Sequence, residues 1–344
     1  MKKLVALVLV LVLVFSIAGC SKGTNQPTTG TTPAPAKAIE LKLSTAVPAT
    51  SSWQIGAETF AKLIEEKTNG KYKIRIFNSD ELSGGNQVSG IEMLQQGSTD
   101  LHMQDALLWS NINPKIAAPA FPFLLASFKD VDAAMEGDGG KAIKDLVSQS
   151  GAVCIGIGES GYRQIVNKKL AVKTPADLKG LKLRVPGIAM YVNLFKILGA
   201  DPISMNQSEV YTSLQQGAID GCENTVELLI TQKTVEVVKN ITLWNYSYDP
   251  VIFSASEKLW GTLSAEEKAI FEAAGKEAMA KQKEAKRQLD AGYSEKLKKD
   301  FGLEITELSA DQIQAFKDAA APIYTENKDT IGTDLFEKFG YTFK

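Results

Sequence analysis

The fold of this chain is decided by residues 178–224, which read LKGLKLRVPGIAMYVNLFKILGADPISMNQSEVYTSLQQGAIDGCEN. The apolar-rich run at 181–185 predicts a strand that carries Arg184 near its C-terminal end. Two helices with apolar residues at helical spacing follow, and Gly199 and Gly217 are suited to end them. The order of strand, helix, short strand, helix and strand predicts an α/β unit.

Arg184 is the first candidate for function, because α/β sheets bind ligands beyond the carboxyl ends of their strands. A guanidinium group can hold a carboxylate through two parallel charge-assisted hydrogen bonds, each contributing about 1.5–3 kcal/mol. The alternative is a strand arginine paired with a surface acid, which contributes little. The strand position alone leaves both interpretations open.

A longer pattern resembles a known family. Residues 173–186 (KTPADLKGLKLRVP) and 205–224 (MNQSEVYTSLQQGAIDGCEN) resemble the solute-binding subunit of TRAP transporters, DctP type. The resemblance extends from about residue 39 to 260 and more weakly to the C-terminus. It implies a two-lobed periplasmic-binding-protein-like α/β fold, with a cleft between the lobes and a long helix spanning both. In that family the arginine matching Arg184 holds the carboxylate of the substrate.

The resemblance also implies further cleft residues. Asn224 is expected to hydrogen-bond the same carboxylate or its neighbouring group. Arg163 matches an arginine that lies near the ligand in the family, and a hinge arginine bonded to the backbone or to Glu159 is the open alternative.

Three other residues are expected at the cleft on weaker grounds. Tyr246 and Trp53 offer apolar faces with polar tips. Asp105 is expected as a polar contact from the first lobe. All three are predictions about binding and not about catalysis.

Gln207 departs from the family, which commonly has an aromatic residue there that packs on the ligand. A glutamine exchanges stacking for hydrogen bonding. We therefore predict a more hydroxylated ligand, such as a sugar acid, over a plain apolar keto acid.

The N-terminus resembles that of a bacterial lipoprotein. Residues 1–19 form a signal peptide, whose apolar run is shorter than the roughly 20 residues of a membrane span. The ending Ile17-Ala18-Gly19-Cys20 resembles a lipobox, which implies cleavage before Cys20 and lipid on its sulfur; an ordinary secretory signal is the alternative. Residues 20–38, rich in Thr, Pro, Gly and Ala, are expected to be a flexible tether. The predicted location is extracytoplasmic and lipid-anchored to the cell membrane.

Residues 39–344 exceed what one hydrophobic core usually supports, so two lobes are expected. The heptapeptides LQQGSTD (94–100) and LQQGAID (214–220) support this, because each follows a helix and precedes a strand. The capping box at Ser264 opens a predicted helix to about residue 299, roughly 50 Å long. We predict that 39–160 with about 250–288 forms lobe I, and that 161–249 with about 289–344 forms lobe II.

Several classes of protein are disfavoured by what the sequence contains. The net charge of −2 provides no basic field for nucleic acid. His102 is the only histidine, so neither a metal site nor a Ser-His or Cys-His pair is expected. We predict no cofactor and no enzymatic activity. Cys154 and Cys222 are expected to be free thiols, although one disulfide between them is arithmetically possible.

The resulting hypothesis is the extracytoplasmic solute-binding protein of a TRAP-type secondary transporter. It would capture a small organic acid and deliver it to a small and a large membrane subunit that use a sodium gradient. A monomer is expected. The alternative function is a ligand-binding lipoprotein sensor that feeds a membrane receptor without transport.

Overall fold

The computed structural model describes residues 37–343, so the predicted signal peptide, Cys20 and nearly all of the tether lie outside the described residues. The described part contains ten strands. They are β1 Ile39–Thr45, β2 Tyr72–Phe77, β3 Leu101–Asp105, β4 Ala152–Asn167, β5 Lys182–Val185, β6 Asp201–Ser204, β7 Gly221–Thr225, β8 Asn240–Leu243, β9 Tyr248–Ser256 and β10 Glu304–Glu307.

The same residues form thirteen α-helices. They are α1 Ser52–Lys67, α2 Gln87–Gln95, α3 Ala106–Trp109, α4 Phe128–Glu136, α5 Asp138–Gln149, α6 Ala189–Ile197, α7 Gln207–Gln216, α8 Val226–Thr231, α9 Glu257–Thr262, α10 Ala265–Phe301, α11 Ala310–Ala320, α12 Pro322–Ile331 and α13 Thr333–Lys338. Short 3₁₀ segments lie at Glu81–Ser83, Pro114–Ala120, Pro175–Leu178 and Thr234–Glu236. None of the helices between residues 37 and 343 has both the length and the apolar character that crossing a bilayer requires.

Strand β4 belongs to two sheets. Its first part, to Tyr162, pairs antiparallel with β9, and the first sheet continues through β3 and β1 to β2. From Arg163 onward it pairs with β7, and the second sheet continues through β5 to β6. On its other side this part pairs with β8, which pairs with β10. The α/β prediction is confirmed, and the partner change locates the junction of the two sheets between Tyr162 and Arg163.

Residues 159–164 (ESGYRQ) predict a turn between two short strands, and this prediction is wrong. The structure has one continuous strand with bulges between Cys154 and Gly156 and between Glu159 and Gly161. A bulge bends the strand and increases its twist. Gly161 has a φ of 99°, which a glycine adopts readily, so the strand changes sheets without a turn.

The predicted long helix is confirmed as α10, which extends two residues beyond the expected end. Ser264 and Glu267 form the capping box, and Gly302 ends the helix in the left-handed conformation. Phe271 and Met279 pack into the core of the first sheet. Tyr293 and Leu297 pack into the core of the second sheet, so one helix of about 55 Å joins both.

The assignment of the C-terminal residues to lobes stays a prediction. Helix α11 contacts α6, whereas α13 contacts α5, and α12 lies between them against both α6 and the 114–120 segment. Trp244 and Phe316 pack with ring centroids 5.0 Å apart within the shared core. The C-terminal helices therefore lie against elements of both sheets.

Helix α10 and strand β4 approach closely at two glycines. A Cβ on Gly275 would come within 2.5 Å of the Ile155 carbonyl oxygen, and one on Gly156 within 2.7 Å of the Gly275 carbonyl oxygen. Both clashes involve backbone, which cannot rotate away. Gly275 is therefore required for contact between helix and strand, whereas a Cβ on Gly292 of the same helix meets nothing within 4 Å.

We expect opposite effects of two matched substitutions in α10. Gly292→Ala should raise the free energy of unfolding by about 0.5–1 kcal/mol, because alanine has the higher helix propensity. Gly275→Ala should lower it by about 1–3 kcal/mol despite the same propensity gain, because helix and strand must separate. Chemical denaturation of both variants would test this; a stabilising Gly275→Ala would contradict the close approach.

Candidate functional site

Residues from both sheets enclose a small cavity, which we call the inner cavity. Its volume is about 10 Å³, room for about one water molecule. Five of the seven predicted binding residues line it, namely Arg184, Asn224, Arg163, Gln207 and Asp105. Ala46, Val47, Gln87, Leu108, Pro186, Leu228 and Gln232 complete the wall.

Arg184 is a buried cation without an acidic partner among residues 37–343. Strand β5 carries it, and only 1% of the residue is exposed. Its Nε and Nη2 donate to the Met205 carbonyl oxygen (3.1 and 2.9 Å), and its Nη1 donates to Gln207 Oε1 (2.9 Å). Both acceptors are neutral, and burial lowers the pKa of Arg184 to about 10. An anion at this guanidinium would relieve an unfavourable buried charge.

Gln207 occupies the acceptor position on Arg184. Its Oε1 accepts from Arg184 and also from Asn224 Nδ2 (3.2 Å). The strand pairing explains why both side chains reach the same oxygen. Arg184 in β5 lies opposite Cys222 in β7, and Asn224 lies two residues beyond Cys222 on the same face of β7. One amide oxygen therefore receives two donors of the kind a carboxylate oxygen would receive.

Arg163 differs from Arg184 because it is neutralised within the protein. Its Nε and Nη2 donate to the two carboxylate oxygens of Glu223 (2.5 and 2.9 Å), and its Nη1 donates to Asp249 Oδ2 (2.9 Å). Although burial opposes the charge, the two acids raise the pKa of Arg163 well above its usual value. Its acidic partners are Glu223 and Asp249 and not the expected Glu159, which binds Arg287.

Asp105 is a buried carboxyl group at the end of β3. It is 5% exposed, and its Oδ1 has no hydrogen-bond partner among residues 37–343. Burial raises the pKa of Asp105 to about 6; Arg163 opposes this effect, and the nearby acids Asp80 and Glu223 reinforce it. The first sheet therefore contributes an acceptor to the inner cavity.

The structure does not bring the two remaining candidates to the cavity wall. Tyr246 is fully buried and donates its hydroxyl to Glu223 Oε2 (2.7 Å), while its ring packs on Trp244 at 4.5 Å between centroids. Trp53 is fully buried in the core of the first sheet. Tyr246 supports the acid that neutralises Arg163, and Trp53 packs the N-terminal part of α1.

The sequence analysis assigned no role to Glu223 or Asp249. Glu223 precedes Asn224 in β7, so its side chain points to the opposite face of the strand, towards Arg163. The sequence did contain an indication of this role, because an acid within a predicted strand needs a cation or a hydrogen-bond donor when it is buried. The partner could not be read from the pattern, because Arg163 is 60 residues away.

A second contact joins the two sides of the cavity. The Ser52 hydroxyl donates to Glu227 Oε2 (2.9 Å), and the backbone N–H of Ser52, at the start of α1, donates to Glu227 Oε1. Gln282 of α10 donates to the same hydroxyl (3.0 Å). A carboxylate at a helix N-terminus is favoured by the helix dipole. We call these three residues the clasp, because they link α1, α8 and α10.

Both described cysteines are free, which confirms the prediction of two thiols. Burial raises the pKa of Cys154 to about 11 and that of Cys222 to about 12, so both stay protonated. Among residues 37–343 no group of three or more His, Cys, Asp or Glu side chains is arranged to hold a metal ion.

Comparison with known proteins gives the family. Residues 43–329 match the profile of the family described as bacterial extracellular solute-binding protein, family 7 (DctP). The 2,3-diketo-L-gulonate-binding periplasmic protein of Escherichia coli is 31% identical over 217 residues, which span 63% of this chain and 66% of that protein.

Solved structures match the described fold. A TRAP periplasmic solute-binding protein of Ralstonia eutropha with bound (S)-2-acetolactate has a TM-score of 0.83 and 31% identity, covering 87% of this chain and 97% of that chain. The sugar acid binding protein of Advenella mimigardefordensis, in complex with galactonate, has a TM-score of 0.84 and 28% identity, covering 88% and 97%. The resemblance and the two-lobed fold predicted from the sequence are confirmed.

The pKa of Asp105 predicts a pH-dependent stability. A carboxyl group whose pKa is higher in the folded than in the unfolded protein stabilises the fold below its unfolded pKa of about 4. That contribution is lost as the pH rises through about 6. Asp105→Asn removes this titration. Its gain in unfolding free energy over wild type should therefore be larger at pH 7.5 than at pH 5, by on the order of 1 kcal/mol.

Denaturant titrations at the two pH values would measure the difference. Asp138→Asn is the matched control, because the Asp138 side chain is 79% exposed and should give the same small effect at both. An equal effect of Asp105→Asn at both pH values would show that Asp105 titrates in the ordinary range.

Proposed function

The chain belongs to bacterial extracellular solute-binding protein family 7, the DctP type of TRAP binding subunit, and from this premise we propose that Arg184 clamps the carboxylate of the small organic acid that it binds for transport. The observation that carries the proposal is the buried guanidinium of Arg184. Its protein partners are a carbonyl oxygen and an amide oxygen, and neither compensates its charge. Arg163 lines the same cavity, but it is already paired with two acids and does not need an anion.

Ligand binding requires Gln207 to leave Arg184. The inner cavity is too small to admit a carboxylate beside the amide, so the carboxylate takes the position of Gln207 Oε1. The ligand would then receive donors from Arg184 and Asn224, as the amide does now. A planar carboxylate can use both Nη groups of the guanidinium, which a single amide oxygen cannot.

The released Gln207 favours a hydroxylated ligand. An amide both donates and accepts, so it can pair with a hydroxyl next to the carboxylate. Relatives support this class of ligand, since one is named for 2,3-diketo-L-gulonate and another was solved with galactonate. The proposed ligand is a small hydroxylated acid such as a sugar acid.

The proposal extends to the location and the partners of the protein. We propose that residues 1–19 are removed, that Cys20 carries the lipid anchor, and that the binding protein delivers its ligand to a small and a large TRAP membrane subunit. It acts as a monomer without cofactor or catalysis.

The two lobes close around the ligand by bending near residues 160–163, and the clasp at Glu227 holds them together.

Arg184→Met and Arg163→Met should separate a ligand-binding arginine from a structural one. Arg184→Met should leave the unfolding free energy of the protein without ligand within about 1 kcal/mol of wild type or raise it, because an uncompensated buried charge is removed. Arg163→Met should lower it by about 3–5 kcal/mol, because Glu223 and Asp249 lose their cation.

Thermal shift against a panel of organic acids would test the binding role. A saturating acid stabilises wild type by mass action, about 2.7 kcal/mol at a hundredfold over Kd. Arg184→Met should abolish the shift and Arg184→Lys should weaken it, while Arg75→Ala, which changes an exposed arginine, should retain it. A shift that survives Arg184→Met would refute the carboxylate clamp.

A further inference from the structure

A second cavity adjoins the inner cavity and is larger, about 170 Å³. We call it the outer chamber. It lies between the loops after β1 and β2 and the first turns of α7, and its wall consists of Ala46, Pro48, Ser79, Asp80, Gly85, Gln207, Ser208, Tyr211 and Gln232. Ala46, Gln207 and Gln232 line both spaces, so a ligand with its carboxylate on Arg184 extends past Gln207 into the chamber.

The wall of the chamber carries a buried carboxyl group with an unpartnered oxygen. Asp80 is 3% exposed, and its Oδ1 has no hydrogen-bond partner among residues 37–343. Nε2 of His102 lies 3.9 Å from this oxygen, beyond hydrogen-bond distance. Gln232 Oε1 is also buried without a partner. Asp80 is therefore a buried acceptor that requires a donor.

The two cavities together favour different ligand groups at their two ends: an anion at the inner end and a hydrogen-bond donor at the outer end. The inner end presents the guanidinium of Arg184, which requires an anion. The outer end presents Asp80, whereas Asp105, whose Oδ1 also has no partner among residues 37–343, lines the inner cavity. A second carboxylate in the chamber would face Asp80 and be repelled, whereas a hydroxyl group can donate to it.

We propose, on the basis of the function proposed above, that the outer chamber is a subsite for the polyhydroxylated tail of the ligand, and that Asp80 selects a tail hydroxyl and excludes a second carboxylate. The ligand is then a monocarboxylate with hydroxyls along its chain. Dicarboxylates of the same length bind poorly. Tyr211 and Ser208 offer further hydroxyl partners to the tail.

Asp80→Asn is a suitable test, because it removes the charge and keeps the shape. Asp80 has a φ of 53°, a left-handed conformation that asparagine tolerates well. Its side chain does not cap the 3₁₀ segment that follows, so the fold does not depend on its charge.

Calorimetry with three acids of six carbons would measure the selectivity. The probes are galactonate, galactarate, in which a second carboxylate replaces the terminal hydroxymethyl group, and hexanoate, which lacks hydroxyls. We expect wild type to bind galactonate at least about tenfold more tightly than either of the others. Asp80→Asn should strengthen galactarate binding about tenfold and weaken galactonate binding about threefold, while hexanoate changes little. Tyr211→Phe should weaken galactonate binding only.

Any of three results would overturn the proposal. Galactarate could bind wild type as tightly as galactonate, or Asp80→Asn could leave the ratio of these two affinities unchanged. The third is tighter binding of 6-aminohexanoate than of galactonate, since Asp80 would then select an ammonium group. Asp138→Asn is the charge-matched control and should leave all affinities unchanged.

If none of these acids nor any other carboxylate binds wild type in a way that depends on Arg184, the proposed function itself fails. If carboxylates bind through Arg184 but without this selectivity, only the subsite proposal fails.

Discussion

The arrangement of the site depends on the pairing of Arg163 with Glu223 and Asp249. These three buried charges come from β4, β7 and β9, at the place where β4 passes from one sheet to the other. The bidentate bond to Glu223, reinforced by the Tyr246 hydroxyl, uses both oxygens of that acid. Glu223 is close enough to raise the pKa of Arg184, yet it does not bond to it. Within residues 37–343 Arg184 therefore has no acid bonded to it, and a ligand carboxylate can supply that partner.

The same junction is where the proposed closure of the lobes would bend the chain. Strand β4, the segment between β8 and β9 and the long helix α10 pass between the two sheets, and the C-terminal helices lie against elements of both. Bulges and Gly161 give β4 its bend, while Gly156 and Gly275 hold the helix against it. The clasp adds a polar contact between α1, α8 and α10, in which the buried carboxylate of Glu227 accepts two hydrogen bonds from Ser52. In the proposed closure this contact holds the two lobes together.

Charge is distributed unevenly along the combined cavity. Arg184 and Asp105 line the inner cavity, Asp80 lines the outer chamber, and the amides of Gln207 and Gln232 line both. Buried charges are costly unless paired, so each end favours a ligand group of complementary character. Such a site discriminates by repulsion as well as by attraction. Gln207 stands between the two ends and has to move for either to be used.

Local sequence patterns determined the fold class and much of the secondary structure of this protein. Helix-ending glycines, capping residues and apolar spacing can be read within a few residues, and they predicted the α/β fold and the long helix α10. The expected cleft positions of Arg184, Asn224, Gln207 and Arg163 came from the family resemblance and not from local pattern. The tertiary structure alone decided which arginine is neutralised, because Glu223 and Asp249 lie 60 and 86 residues from Arg163 in the chain. It also directed Trp53 and Tyr246 into the core, and turned a predicted bend in β4 into a strand shared by two sheets. Such outcomes depend on partners brought together by folding, and a local pattern cannot specify them.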